Sequence, residues 1–185
     1  MKLSRLSVFC FLMLLTASVF AQTETEKGIE RYRNGDYDGA LAILENIVET
    51  DRKDRRAWLY LGLSFGKKKK DKEALKAFRK WDSISEKPKD DKMKSESSDG
   101  FKILSKPRST YTDLARQNRI EGRVKLIVEF MENGKIGLVF PLQTLPDGLT
   151  ENCIFAAQQI KFQPAQKDGK PISVVKTITY DFTVF

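Results

Sequence analysis

The sequence predicts an α+β protein in two parts: all-α helix pairs, then a small C-terminal domain with a three-stranded antiparallel sheet and two helices. Three observations carry this expectation. Residues 24–82 repeat themselves at a fixed period of 34, as stacked helix pairs do. Asn133-Gly134 stands between two runs whose apolar residues recur with a period of two, the pattern of a β-hairpin. The chain then ends on a long alternating segment, with Val174, Ile178, Tyr180, Phe182 and Val184 set against Ser173, Thr177, Thr179, Asp181 and Thr183.

The chain opens with Lys2 and Arg5, an apolar run from Leu6 to Phe20, and the ending Val19-Phe20-Ala21, which puts small or tolerated residues at the −3 and −1 positions of a cleavage point. The apolar run of 15 residues is shorter than the roughly 20 that a bilayer span requires. Residues 1–22 therefore read as a secretory signal peptide cut between Ala21 and Gln22. An uncleaved membrane anchor is the alternative.

Residues 23–85 follow as the repeat region, with helices expected at 24–34, 37–50, 54–66 and 71–83. Gly28 recurs as Gly62 and Ala40 as Ala74, while Leu44 is matched by Phe78. Small residues at these places let paired helices approach closely. Trp58, Phe65, Phe78 and Trp81 are expected inside. A period of 34 is that of the tetratricopeptide repeat, and the pattern Gly35-Asp36-Tyr37-Asp38, Ala40-Leu41, then Ala57-Trp58, Leu61-Gly62, Phe65 and Glu73-Ala74-Leu75 resembles two copies of it. The first copy departs from that family with Glu24, Lys27 and Arg31 at usually apolar places, and the second with Lys67-Lys68-Lys69-Lys70 in place of a glycine-containing turn. The resemblance implies a protein-binding groove, drawn here with Tyr32, Arg33, Leu59 and Leu63. Residues 86–100 are nearly devoid of apolar side chains and read as a flexible linker.

In the last part, 101–185, Val124, Leu126, Val128 and Phe130 alternate with Arg123, Lys125 and Glu129 as a half-buried strand. Ile136, Leu138 and Phe140 are expected to continue its inner face across the hairpin, with Pro141 ending the ladder for want of an N–H. Leu149, Cys153, Ala156, Ala157 and Ile160 form a helical stripe. The final alternating segment supplies the third strand.

The order Tyr111-Thr112-Asp113-Leu114-Ala115-Arg116, Gly122, Asn133-Gly134, Phe162-Gln163-Pro164-Ala165, Lys167-Asp168-Gly169-Lys170-Pro171 resembles the C-terminal domain of the TonB family of envelope proteins. Thr112 stands where that family usually has proline. The resemblance implies that the last strand docks an extended peptide, a TonB-box-like segment of an envelope protein, by strand addition. The implied edge is Val174, Lys176, Thr177, Ile178, Thr179, Tyr180, Asp181 and Phe182, with Lys176 and Asp181 guarding it when empty. It further implies a location in the periplasm and a link to outer-membrane transport, with a second protein partner at the repeats. The alternative is a membrane-anchored TonB-type energy transducer facing the periplasm from the inner membrane. Against that, the 6 prolines form no spacer and the chain lacks the histidine of the family's anchor helix.

Composition narrows the remaining classes. The formal charge is +8, but residues 101–185 hold only 12 basic against 8 acidic groups, so no segment is basic enough to be a nucleic-acid footprint. With 0 histidines the commonest general base is missing, and Cys153 has no imidazole to activate it. The sequence thus points to no enzyme, no cofactor, no metal and no nucleic acid, and to a membrane only if the leader is retained.

The leader reading makes a direct prediction. The mature protein begins at Gln22, and replacing Ala21 with a bulky charged residue leaves a larger, membrane-retained precursor. Full-length unmutated protein fractionating with membranes would contradict it.

Overall fold

A computed structural model describes residues 24–84 and 100–184, so the leader with its Ala21/Gln22 junction and all of the linker except Gly100 lie outside the described residues. The chain divides into two compact units, Met1–Ser85 and Glu86–Phe185.

The described residues of the first unit form four helices, α1 (helical from the first described residue, 24, to 33), α2 (Tyr37–Thr50), α3 (Arg55–Lys67) and α4 (Asp71–Ser83), and the last three lie within a residue of the bounds expected from periodicity. Two aspartates start helices. Asp36 accepts from the Gly39 amide at 2.9 Å to cap α2, and Asp54 accepts from the Ala57 amide at 2.9 Å to cap α3. The Gly39 amide first, and then Arg31, hold the Asp36 carboxyl below the ordinary carboxylate value. The second Asp54 oxygen takes the Thr25 hydroxyl at 2.6 Å and so ties α1 to the start of α3.

The 34-residue period is visible as one packing contact made twice. A Cβ on Gly28 would lie 2.8 Å from Leu44, and one on Gly62 would lie 2.7 Å from the Phe78 ring. Each glycine lets the second helix of its pair seat a large side chain against bare backbone. Leu44 and Phe78 are fully buried there, beside Ala40 and Ala74. Phe65 and Trp81 join this core as expected. Trp58 does not: it is half-buried, with its indole N–H donating to the Arg52 carbonyl at 3.0 Å. Its place on α3 turns the ring toward the preceding loop, and Leu61 and Leu63 fill the interior instead.

The lysine run is a solvated turn. Lys68 pairs with Asp38 at 2.8 Å, and Lys69 adopts a left-handed φ of 58° while the Lys69 and Lys70 amides return to the Gly66 and Phe65 carbonyls at 3.1 and 2.9 Å. In the first pair Gly35, 34 residues earlier, closes α1 in the same way with φ 79° and amides of Gly35 and Asp36 on Tyr32 and Arg31.

The second unit is built on a three-stranded antiparallel sheet of order β3-β2-β7, where β2 is Gly122–Phe130, β3 is Ile136–Gln143 and β7 is Val174–Phe182. Helix α5 (Asp113–Gln117) precedes it and α6 (Leu149–Gln158) follows the hairpin. Thr112 caps α5, accepting from the Ala115 amide at 3.0 Å and donating to the Asp147 carbonyl at 2.7 Å. Sequence reasoning did not resolve two short ribbons, β1 (Lys102–Ser105) with β4 (Lys161–Gln163), and β5 (Ala165–Lys167) with β6 (Lys170–Ile172). Strands of three or four residues carry too little alternation to be read. The second ribbon did have its marker: Asp168-Gly169 is a two-residue turn with φ values of 51° and 74°.

Val124, Leu126, Val128 and Phe130 face inward and meet Leu149, Cys153, Ala156, Ala157 and Ile160 of the α6 stripe, with Phe162 of β4 closing the cluster. Phe101, Phe130 and Phe162 stack with centroids 4.8–6.1 Å apart.

Two expectations about β3 fail, each for its own reason. The register runs Val128 to Val139 and then Phe130 to Ile136, so Glu129 faces two residues, Gly137 and Leu138. This bulge shifts the parity. Ile136 and Val139 pack on the inner cluster, whereas Phe140 lies buried opposite Ile127 on the other face, and Leu138 is not an inner residue. The Glu129 carboxylate fills the bulge, accepting from the Leu138 amide at 3.0 Å across the bare Gly137. Pro141 does not end the strand. It pairs opposite Leu126 and sits beside a second irregularity on an outer strand, where its missing N–H costs no ladder bond.

The left-handed cap at Lys69 yields a stability prediction. An L side chain in that region costs about 1–2 kcal/mol, partly offset by the freedom glycine adds to the unfolded chain. Lys69→Gly should stabilise the repeat unit by about 0.5–1 kcal/mol, read as a raised midpoint in urea unfolding followed by circular dichroism. A lowered midpoint would mean the lysine side chain contributes more than its backbone strain takes away.

Candidate docking edge

The three-stranded sheet has two outer strands, and they differ in kind. β3 is broken by two register shifts and by Pro141. β7 pairs with β2 over nine consecutive residues without a shift, from Gly122 opposite Phe182 to Phe130 opposite Val174. Among the described residues no further strand pairs with β7. Bulges and proline are the usual means of blunting an edge, so β3 is protected and β7 presents regular backbone.

The eight residues singled out on β7 fall into distinct roles. Ile178, Tyr180 and Phe182 point inward and are buried opposite Leu126, Val124 and Gly122. Their side chains belong to the core. Thr177 and Thr179 stand half-buried on the opposite face, together with Val175, which the sequence reading passed over. Val174 is half-buried against the inner cluster. Lys176 is exposed, with its ammonium 5.7 Å from the Phe101 ring. Asp181 accepts from Arg123 Nε at 2.7 Å, across the ladder toward β2. This pair is well exposed and adds little stability.

The group that does reach the outer side of β7 comes from 73 residues away. Lys106, just after β1, donates from Nζ to the Thr179 carbonyl at 2.7 Å and lies 4.5 Å over the Tyr180 ring. In an antiparallel ladder alternate residues turn both backbone groups to the same side. Because the Thr179 carbonyl meets Lys106, Val175, Thr177, Thr179 and Asp181 turn amide and carbonyl away from β2. No local sequence signal marks Lys106 for this place, since only tertiary folding brings it there.

Tyr111 packs edge-on against Phe182 at 5.3 Å and donates its hydroxyl to the Ile120 carbonyl. Segment 101–111 thus meets β7 in order, with Phe101 at Lys176, Lys106 at Thr179 and Tyr180, and Tyr111 at Phe182. Beneath it, Cys153 donates to the Ser109 hydroxyl at 3.3 Å, and burial pushes its thiol up. Burial, and then the neighbouring Cys153, push the Tyr180 hydroxyl up to about 12, so both groups stay neutral at ordinary pH. Cys153 is therefore a small packing residue. Among the described residues no group of three or more Cys, Asp or Glu side chains could hold a metal ion.

The groove drawn on the repeats does not assemble. Leu63 is fully buried, and Tyr32 is buried with its ring 5.5 Å from those of Tyr37 and Tyr60. Both are used in packing one helix on the next, which leaves only exposed Arg33 and half-buried Leu59 open to a ligand.

The thiol gives a quick check of this packing. Cys153 should react with a thiol reagent at least a hundredfold more slowly in native protein than in urea, a reserve set by the opening of the core (about 3 kcal/mol or more). Rapid native labelling would place the thiol outside the core.

Comparison with known proteins finds two family matches and one solved structure. Residues 25–91 match the family model described as tetratricopeptide repeat, and residues 107–184 match that of the Gram-negative bacterial TonB protein C-terminal. The solution NMR structure of the Pseudomonas aeruginosa TonB CTD is 24% identical, with 46% of this chain and 88% of that chain covered and a TM-score of 0.39. No curated protein matches the chain. Both repeats and TonB C-terminal domains are protein-interaction modules, and the chain carries a tetratricopeptide-repeat region followed by a C-terminal domain of the TonB family.

Proposed function

We propose that this protein works in the periplasm and captures an extended, TonB-box-like segment of an envelope protein by strand addition outside β7, in the service of outer-membrane transport. The observation that carries the reading is the nine-residue unshifted register of β7, an outer strand whose second side turns regular backbone away from the sheet. Exposed regular backbone is the receptor surface in β-augmentation. The tetratricopeptide-repeat match supports a second protein partner at the repeats, on a surface other than the one drawn through buried Tyr32 and Leu63. No described helix is long and apolar enough to cross a membrane.

Magnitudes define what such binding looks like. Roughly five main-chain hydrogen bonds at about 1 kcal/mol each stand against an association cost of about 4–15 kcal/mol. Backbone pairing alone is close to balance, so affinity is modest and side chains decide it. Val175, Thr177 and Thr179 share the outer face of β7 and would flank a new strand, whereas Ile178, Tyr180 and Phe182 are committed to the core.

Thr179→Pro removes one outward donor without touching the β2 ladder. It should abolish binding of a synthetic TonB-box peptide while circular dichroism stays that of the parent. In the unmutated protein, chemical-shift changes on peptide addition should concentrate in 174–182. Changes confined to 24–82 would place recognition on the repeats and end the strand-addition reading.

A further inference from the structure

We propose that Lys106 is a displaceable clasp that occupies the partner's place on β7. This rests on the strand-addition reading and deepens it. The Lys106 ammonium donates to the Thr179 carbonyl at 2.7 Å, the atom to which an incoming strand's amide would donate. The clasp is therefore a stand-in for one main-chain bond of the partner. It satisfies an edge carbonyl in the unbound protein and has to leave for the strand to enter.

Three features fit a clasp better than a permanent strut. Lys106 is exposed, so its ammonium is regained by water at little cost when it lets go. It is held by one hydrogen bond and by the Tyr180 ring 4.5 Å away, both weak for an exposed lysine. Its neighbours are anchored elsewhere: β1 pairs with β4 on one side, while Asn152 Nδ2 donates to the Thr110 carbonyl at 2.9 Å on the other. The side chain can thus swing out while the backbone around it stays fixed. A lysine at an otherwise regular edge is also a known defence against pairing with a second copy of the chain.

The experiment uses the full mature chain and a labelled, end-capped synthetic peptide of alternating Val and Thr. An uncharged probe separates loss of the clasp from loss of charge attraction. Lys106→Met keeps the length of the stem but removes the donor, and it should bind the peptide roughly two- to tenfold more tightly, the range for one modest hydrogen bond. Lys106→Arg keeps a donor and should bind like the parent. Equal or weaker binding by Lys106→Met, with the parent still binding through 174–182, overturns the clasp and leaves strand addition standing. If neither protein binds any extended peptide, strand addition fails and the clasp fails with it.

Discussion

The ladder between β2 and β7 holds nine residue pairs without a slip, and the C-terminal unit is arranged around it. β2 is the middle strand and is buried on both faces: Val124, Leu126, Val128 and Phe130 on one side, Ile127 and Glu129 on the other. A strand in that position has no freedom of register, because a shift of one residue would exchange the two faces. With β2 fixed, the two neighbours absorb all irregularity in different ways. β3 takes the bulges and the proline. β7 takes none, and its outer side remains regular.

That asymmetry links packing to function. At the bulge on β3 the buried Glu129 carboxylate accepts from the Leu138 amide. Gly137 leaves the room. The same bulge spoils β3 as a template for strand pairing. On β7 the inward residues Ile178, Tyr180 and Phe182 are buried in the aromatic and aliphatic core, so the strand is held in place by its own burial. An edge that is rigid before binding loses little entropy on binding, which is what a weak main-chain interaction needs.

The repeat unit obeys a different constraint, close approach. Gly28 against Leu44 and Gly62 against Phe78 are the same contact made twice, and helix caps at Asp36 and Asp54 start the helices that make it. Where the second copy lost a residue of the pattern, the backbone kept the geometry anyway. Lys69 takes the left-handed conformation of Gly35, and Lys70 stands at a helix start with no side-chain cap. Packing between the helices therefore outweighs local preference at that turn.

What the sequence determined by itself was whatever depends on short-range periodicity and on backbone chemistry. The four repeat helices, the central strand, the α6 stripe and the alternating last strand all follow from spacing, because burying one face imposes a period of 3.6 or 2 on neighbours in the chain. The tertiary structure decided the rest. A single bulge reversed the faces of Leu138 and Phe140, and nothing local marks it, since it answers a carboxylate on another strand. Trp58 is half-buried with its indole N–H on the Arg52 carbonyl, while Leu61 and Leu63 lie in the core. Asp181 was drawn to Arg123, and the outer side of β7 received Lys106, 73 residues from the carbonyl it holds. Such a contact has no period and no motif; it exists only once the fold has brought the two segments together.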